Sequence, residues 1–380
     1  MDFLHTLLTT IASTITTALV ALQIAFGGIF IDEQKITLPL PKEVSTSFAT
    51  SSSKKIIGTS ATSTQPTPKP AKKSEAKLVS SPVPTTTLPA VVAPPPSINS
   101  EALNTQTREA LVNILCDTKG GGVHPISGSG VFIDTRGVIL TNAHVGQYFL
   151  LKDYPSRDNV SCTIRIGSPA SPRYTATLIY LPPAWVSSNS TQIIAEQAKG
   201  TGENDYAFLL VTDSTGPTPV PLQFPHLTIT IAEPDLSVSM LLAAYPAGFL
   251  DGSSIQKNLY VSSAYAAVKE LFTFGVNRDV DLVSVGGTVV SQGGSSGGAV
   301  VRANDGVLQG IITTSTAADS TAERDLRAIT LAHINRSLIT QGQGGLVSFL
   351  SQDMLAAATR FASSTAPGEK ELLVKAIEHR

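Results

Sequence analysis

SQGGSSGGAV, residues 291–300, sets one hydroxyl, Ser296, among glycines that leave the backbone free to turn. Gly294 and Ser296 can aim backbone N–H groups at one point, which is what an anionic tetrahedral intermediate needs. Alone, such a string is an ordinary Gly/Ser turn, so its reading depends on partners elsewhere. A hydroxyl is a weak nucleophile at neutral pH unless a base takes its proton, and that base must be oriented by a third group. VILTNAHV (138–145) is a β-rich run ending in small polar residues, which leaves His144 at a strand end. ENDYAFLLV (203–211) puts Asp205 directly before an apolar strand, a position from which a half-buried carboxylate can reach an imidazole. Singly, His144 reads as well as a core histidine, and Asp205 as a strand-end cap. Together the three stand in the order His, Asp, Ser.

TNAHV, DYAFLL and GGSSGGAV resemble the three signature blocks of the trypsin-like, chymotrypsin-fold serine peptidases of bacterial type, in that family's order, over about residues 105–340. The resemblance implies Ser296 as nucleophile, His144 as general base, Asp205 as orienting carboxylate, and Gly294 and Ser296 as oxyanion donors. It implies hydrolysis of protein or peptide substrates through an acyl-enzyme, with no cofactor. The alternative is a trypsin-fold binding or scaffold protein that has lost turnover, and competent residues at all three positions weigh against it. An esterase of the α/β-hydrolase class needs the order Ser-Asp-His and alternating helices, neither of which is present. Ser295 stands where zymogen-activated relatives carry an Asp, so no proteolytic activation is expected. By spacing back from Ser296, Val290 falls at the floor of the primary specificity pocket, with Thr313, Thr314 and Ser315 as walls. That lining implies small or medium aliphatic residues before the scissile bond, because a cation desolvated over Val290 would cost several kcal/mol. Cys116 and Cys162 fall in strands that are neighbours in the family's barrel, which implies a disulfide; two buried thiols are the alternative.

The runs around these blocks read as all-β. Six strands are expected at 111–116, 129–134, 138–144, 161–167, 174–181 and 206–212, with DTRG (134–137) as a hairpin turn. Six more are expected at 236–244, 257–266, 282–291, 298–303, 306–314 and 327–332, with RAITLAHI (327–334) closing the second set. Six and six match two antiparallel barrels with the active site between them, in a peptidase domain over 101–345 that opens on a short helical lead. Leu346, Leu350, Met354, Ala357 and Phe361 recur at helical spacing and put one apolar stripe on a C-terminal helix; Pro367 and Gly368 are expected to interrupt it before a last helical piece in the tail 346–380. That tail is too short for a PDZ domain.

Upstream, residues 6–31 are an uncharged, apolar, Thr-rich run of 26, long enough to cross a hydrocarbon core as a helix. A secretory h-region is shorter and follows basic residues, whereas no Lys or Arg precedes this run, so 1–31 reads as an uncleaved membrane anchor. Residues 32–100 hold eleven of the 24 prolines with Ser/Thr clusters and lysines, and no period that could bury a face. They read as a disordered tether that holds the domain about 45 Å or more from the membrane. Such a tether and a disulfide suit an extracytoplasmic domain, although Lys35 and Lys42 after the span run against the positive-inside tendency. A net charge of −2 without a basic cluster in the folded part argues against nucleic-acid binding, and the six scattered histidines offer no zinc-site spacing.

Overall fold

The computed structural model describes residues 99–379, apart from 121, 196–199, 277, 317 and 319. The expected membrane span at 6–31 and the tether up to residue 98 lie outside the described residues, among which no helix is long and apolar enough to cross a membrane. The described chain opens on a helix, Ser100–Glu109, capped by the Asn99 side chain accepting from the Glu101 N–H. The helical lead ends at Glu109, and the apolar run from Leu111 is already strand.

Six strands close into an antiparallel barrel: β1 (Leu111–Thr118), β2 (Ile126–Asp134), β3 (Val138–Thr141), β4 (Val160–Ile166), β5 (Ser171–Tyr180) and β6 (Ala207–Ser214). Their order around the barrel is β1, β2, β3, β6, β5, β4. The DTRG turn joins β2 to β3, with the Gly137 N–H donating to the Asp134 carbonyl at 3.2 Å. In the β1–β4 ladder Cys116 faces Cys162, and the two are joined by a disulfide.

The second half departs from a six-stranded closed barrel. It is a seven-stranded sheet built from β7 (Ser239–Ala244), β8 (Ser262–Ala267), β9 (Glu270–Phe272), β10 (Leu282–Gly286), β11 (Ala299–Arg302), β12 (Leu308–Ser315) and β13 (Leu326–Thr330). Its order is β8-β7-β11-β12-β13-β10-β9, with β8 and β9 at the edges. The added strand is β9, which no expected strand covers, and two local signals shift the bounds of its neighbours. Asp251 accepts from the N–H groups of Ser253 and Ser254, which starts a short helix at Gly252–Lys257, and β8 begins at Ser262 rather than at the expected 257. Thr330 likewise accepts from the His333 N–H, so β13 ends at Thr330 rather than at 332, and the LAHI of RAITLAHI opens the helix Leu331–Thr340.

The C-terminal stripe is divided between helices Leu346–Leu350 and Met354–Ser364, the second capped by Asp353. Its apolar residues do pack inward: Phe349 and Phe361 both lie edge-on to Tyr180. Pro367 begins the last helix, Ala366–Glu378, rather than interrupting one, because an N-terminal turn has no use for its missing N–H. That helix packs on the helical segment 183–194, with Leu373 and Ile377 buried.

Candidate active site

Strand pairing brings His144 and Asp205 together. Thr141, the last residue of β3, faces Ala207, the first of β6, so the residues just beyond these two strand ends are neighbours. Asn142 fixes the junction by donating its amide to the Asp205 carbonyl at 2.8 Å. The one-turn helix Ala143–Gly146 then presents His144 to the carboxylate. The contact is double: the His144 backbone N–H reaches Asp205 Oδ1 at 3.0 Å, and ring Nδ1 lies 2.8 Å from Oδ2. An ionised carboxylate can only accept, so Nδ1 carries the hydrogen and Nε2 of the neutral ring is left as an acceptor. Thr313, on β12, adds a hydroxyl hydrogen bond to Asp205 Oδ2 at 2.8 Å.

Burial alone would disfavour the imidazolium, but the charge and hydrogen bond of Asp205 outweigh it and raise the His144 pKa above its ordinary value. Burial also pushes the Asp205 carboxyl up. The opposing pull of His144, with the hydrogen bonds from His144 and Thr313, is greater and holds its pKa below the usual carboxylate range.

Ser296 comes from the opposite half, in the turn between β10 and β11. Gly294 sits at φ 88°, and a Cβ there would meet the Tyr245 carbonyl oxygen at 2.7 Å, so both conformation and space demand glycine. Gly297, at φ 84°, is pressed still closer, with the Ser129 carbonyl oxygen 2.1 Å from where a Cβ would stand. The Gly293 carbonyl accepts from the Ala247 N–H at 2.7 Å, which turns the Gly294 N–H of the same trans peptide to the other side.

Ser129 of β2 pins this turn across the two halves. Its N–H donates to the Ser296 carbonyl at 2.7 Å, and its hydroxyl donates to the Gly294 carbonyl at 2.8 Å and accepts from the Tyr245 N–H at 2.9 Å. Thr141 in turn donates its hydroxyl to the Ser129 carbonyl. Sequence reading missed Ser129 and Thr141, which carry no local signal: their roles arise from contacts with residues far along the chain.

His144, Asp205 and Ser296 line one cleft of about 970 Å³. A hydroxyl, an imidazole with a free acceptor nitrogen and a buried carboxylate on one cleft make up the set that activates an oxygen nucleophile. Among the described residues, no group of three or more His, Cys, Asp or Glu is arranged to hold a metal.

The expected specificity pocket is rearranged. Val290 is 0% exposed and packs in the core of the second half with Met240, Leu242 and Val285, so it offers no surface to a substrate. Of the expected walls, Thr313 and Ser315 line the cleft, Thr313 also serving Asp205, while Thr314 pairs with Arg327 in the β12–β13 ladder. Ile312, Leu326 and Arg324 join them, and Trp185, Gln192 and Glu203 line the cleft from the first half.

Residues 128–311 match the model of the trypsin-like peptidase domain. No curated protein sequence matches the chain. Among solved structures it is similar to the active form of the Rv3671c protease from M. tuberculosis (19% identity, TM-score 0.39), covering 64% of this chain and 85% of that one. It is similar also to the serine endoprotease from Yersinia pestis (19% identity, TM-score 0.40; 65% and 67% covered). A third is the HtrA-type protease AlgW with a tripeptide (19% identity, TM-score 0.40; 65% of each chain covered).

Proposed function

Residues 128–311 belong to the trypsin-like peptidase domain family, which makes this chain a trypsin-like serine endopeptidase, and from that premise we propose that it cleaves peptide bonds through Ser296, His144 and Asp205. The observation that carries this reading is the double hydrogen bond between His144 and Asp205 on the cleft shared with Ser296. In the proposed reaction, His144 Nε2 takes the Ser296 proton as Oγ attacks the scissile carbonyl. Asp205 stabilises the imidazolium without accepting the proton. The N–H groups of Gly294 and Ser296 hold the oxyanion. The imidazolium then protonates the leaving amine, and water activated by the same ring hydrolyses the acyl-enzyme. Ser296→Ala and His144→Ala should each cost several orders of magnitude in turnover, and the double variant little more, because the three act as one unit. Near-normal hydrolysis of a peptide ester by His144→Ala would refute the base.

The chain is further proposed to be anchored by residues 6–31 and to hold its peptidase domain outside the cytoplasm. The long uncharged run supports the first part, and the Cys116–Cys162 disulfide, which suits an oxidising compartment, supports the second. Treating intact cells with an external protease should digest the domain; a domain left whole until the cells are lysed would overturn the orientation.

A further inference from the structure

With Val290 withdrawn into the core, the charged side chains at this end of the cleft are Arg324 and Arg327, the second of them paired with Asp325. The Arg324 guanidinium ties the two walls together, donating from Nη1 to the Ser291 carbonyl at 2.9 Å and from Nε to the Ala318 carbonyl at 3.1 Å. Ser291 belongs to the segment that leads into Ser296, and Ala318 follows Ser315 and Thr316 on the facing wall. Both hydrogen bonds end on carbonyl oxygens, which fix the side chain without neutralising it. The neighbouring carboxylate, Asp325, is taken up by Arg327 at 2.9 Å and by the Ser284 hydroxyl. Arg324 also lies over the Phe249 ring, 5.6 Å from its centroid, which favours the cation further. The result is a permanent positive charge, half-buried and anchored by two backbone groups, lining the cleft that holds Ser296. Glu203, the exposed carboxylate on this cleft, comes from the segment just before Asp205 in the other half.

We propose that Arg324 is a specificity-determining residue that pairs with a carboxylate side chain of the substrate, selecting Asp or Glu before the scissile bond. The proposal rests on the peptidase reading above and replaces the aliphatic preference expected from Val290. A guanidinium already held in place gives up little conformational freedom when it binds, so its remaining N–H groups can meet a planar carboxylate at small cost. Leu326 and Ile312 supply apolar surface for the methylenes of such a side chain.

The test uses peptides that differ solely in the residue before the scissile bond: Glu, its neutral isostere Gln, Val and Lys. The full-length protein should hydrolyse the Glu peptide with kcat/KM about tenfold or more above the Gln peptide, as charge-assisted hydrogen bonds do, and added salt should shrink that ratio. In Arg324→Gln the Glu/Gln ratio should fall to about one, in Arg324→Lys a preference for Glu should persist, and in Arg324→Glu the Lys peptide should overtake the Glu peptide. Ratios taken within each variant are independent of how much of it folds. Equal rates for Glu and Gln in the unsubstituted protein, or a ratio that Arg324→Gln leaves unchanged, would overturn the assignment of Arg324 alone. No hydrolysis of any of the four, by protein that also fails to react with a fluorophosphonate, would overturn the peptidase reading and this proposal with it.

Discussion

Glu369 stands in the first turn of the last helix, 4% exposed, with both carboxylate oxygens buried and without a hydrogen-bond partner among the described residues. Burial pushes its pKa from 4.5 up to about 8. The folded chain therefore keeps the proton over a pH range in which the unfolded chain has released it. Its contribution to stability is fully present below about pH 4.5 and is lost as pH rises through about 8. At 1.36 kcal/mol per pKa unit the whole shift corresponds to about 5 kcal/mol above pH 8, and residual solvation with the favourable field of a helix N-terminus reduces the expected cost to about 3 kcal/mol. Glu369→Gln removes the titration while keeping the shape. Urea unfolding of both proteins at pH 5 and pH 9 can be followed by the fluorescence of the single tryptophan, Trp185, which lies on the segment this helix covers. The variant should match the parent within about 1 kcal/mol at pH 5 and exceed it by about 3 kcal/mol at pH 9. Coincident curves at pH 9, or the same gap at both values, would refute the reasoning.

Because the reaction needs a neutral imidazole and Asp205 raises the His144 pKa, kcat/KM should climb with pH along a limb centred above 6.5; a limb centred well below 6.5 would contradict this. Thr313→Val removes the hydroxyl that steadies Asp205, and kcat should fall about tenfold with KM little changed, as for one hydrogen bond to a charged group; a kcat within twofold of the parent would leave Thr313 without that role. Replacing Cys116 and Cys162 together by Ala opens a loop of 46 residues and should destabilise the domain by about 4 kcal/mol on the chain-entropy model; unchanged urea midpoints would show that the loop costs nothing.

The residues proposed to carry the chemistry stand out in the sequence because they lie at strand ends in runs whose composition changes abruptly: TNAH after an apolar strand, ND before one, and glycines around one serine. The first barrel was legible for the same reason, its strands being bounded by turn residues such as DTRG. The second half was less so. Residues 327–334 are apolar enough for strand or helix, and the choice was made by the Thr330 cap, a local detail inside the run. β9 is three residues long, too short to show a period. Val290 illustrates another limit, since an apolar residue suits a pocket floor and a core equally well, and only the packing of Met240, Leu242 and Val285 around it decides. Ser129 and Arg324 act through backbone atoms distant in sequence, the first across 165 residues to Gly294, which no local pattern records.

The central claim is that Ser296 is an activated nucleophile, and covalent labelling tests it most directly. The full-length protein would be incubated with a fluorophosphonate at neutral pH, digested, and the adduct located by mass spectrometry. A single adduct on Ser296, absent from Ser296→Ala and formed orders of magnitude more slowly in His144→Ala, is the expected result. Folded protein that takes up no label, or that carries it on a different serine, would contradict the claim.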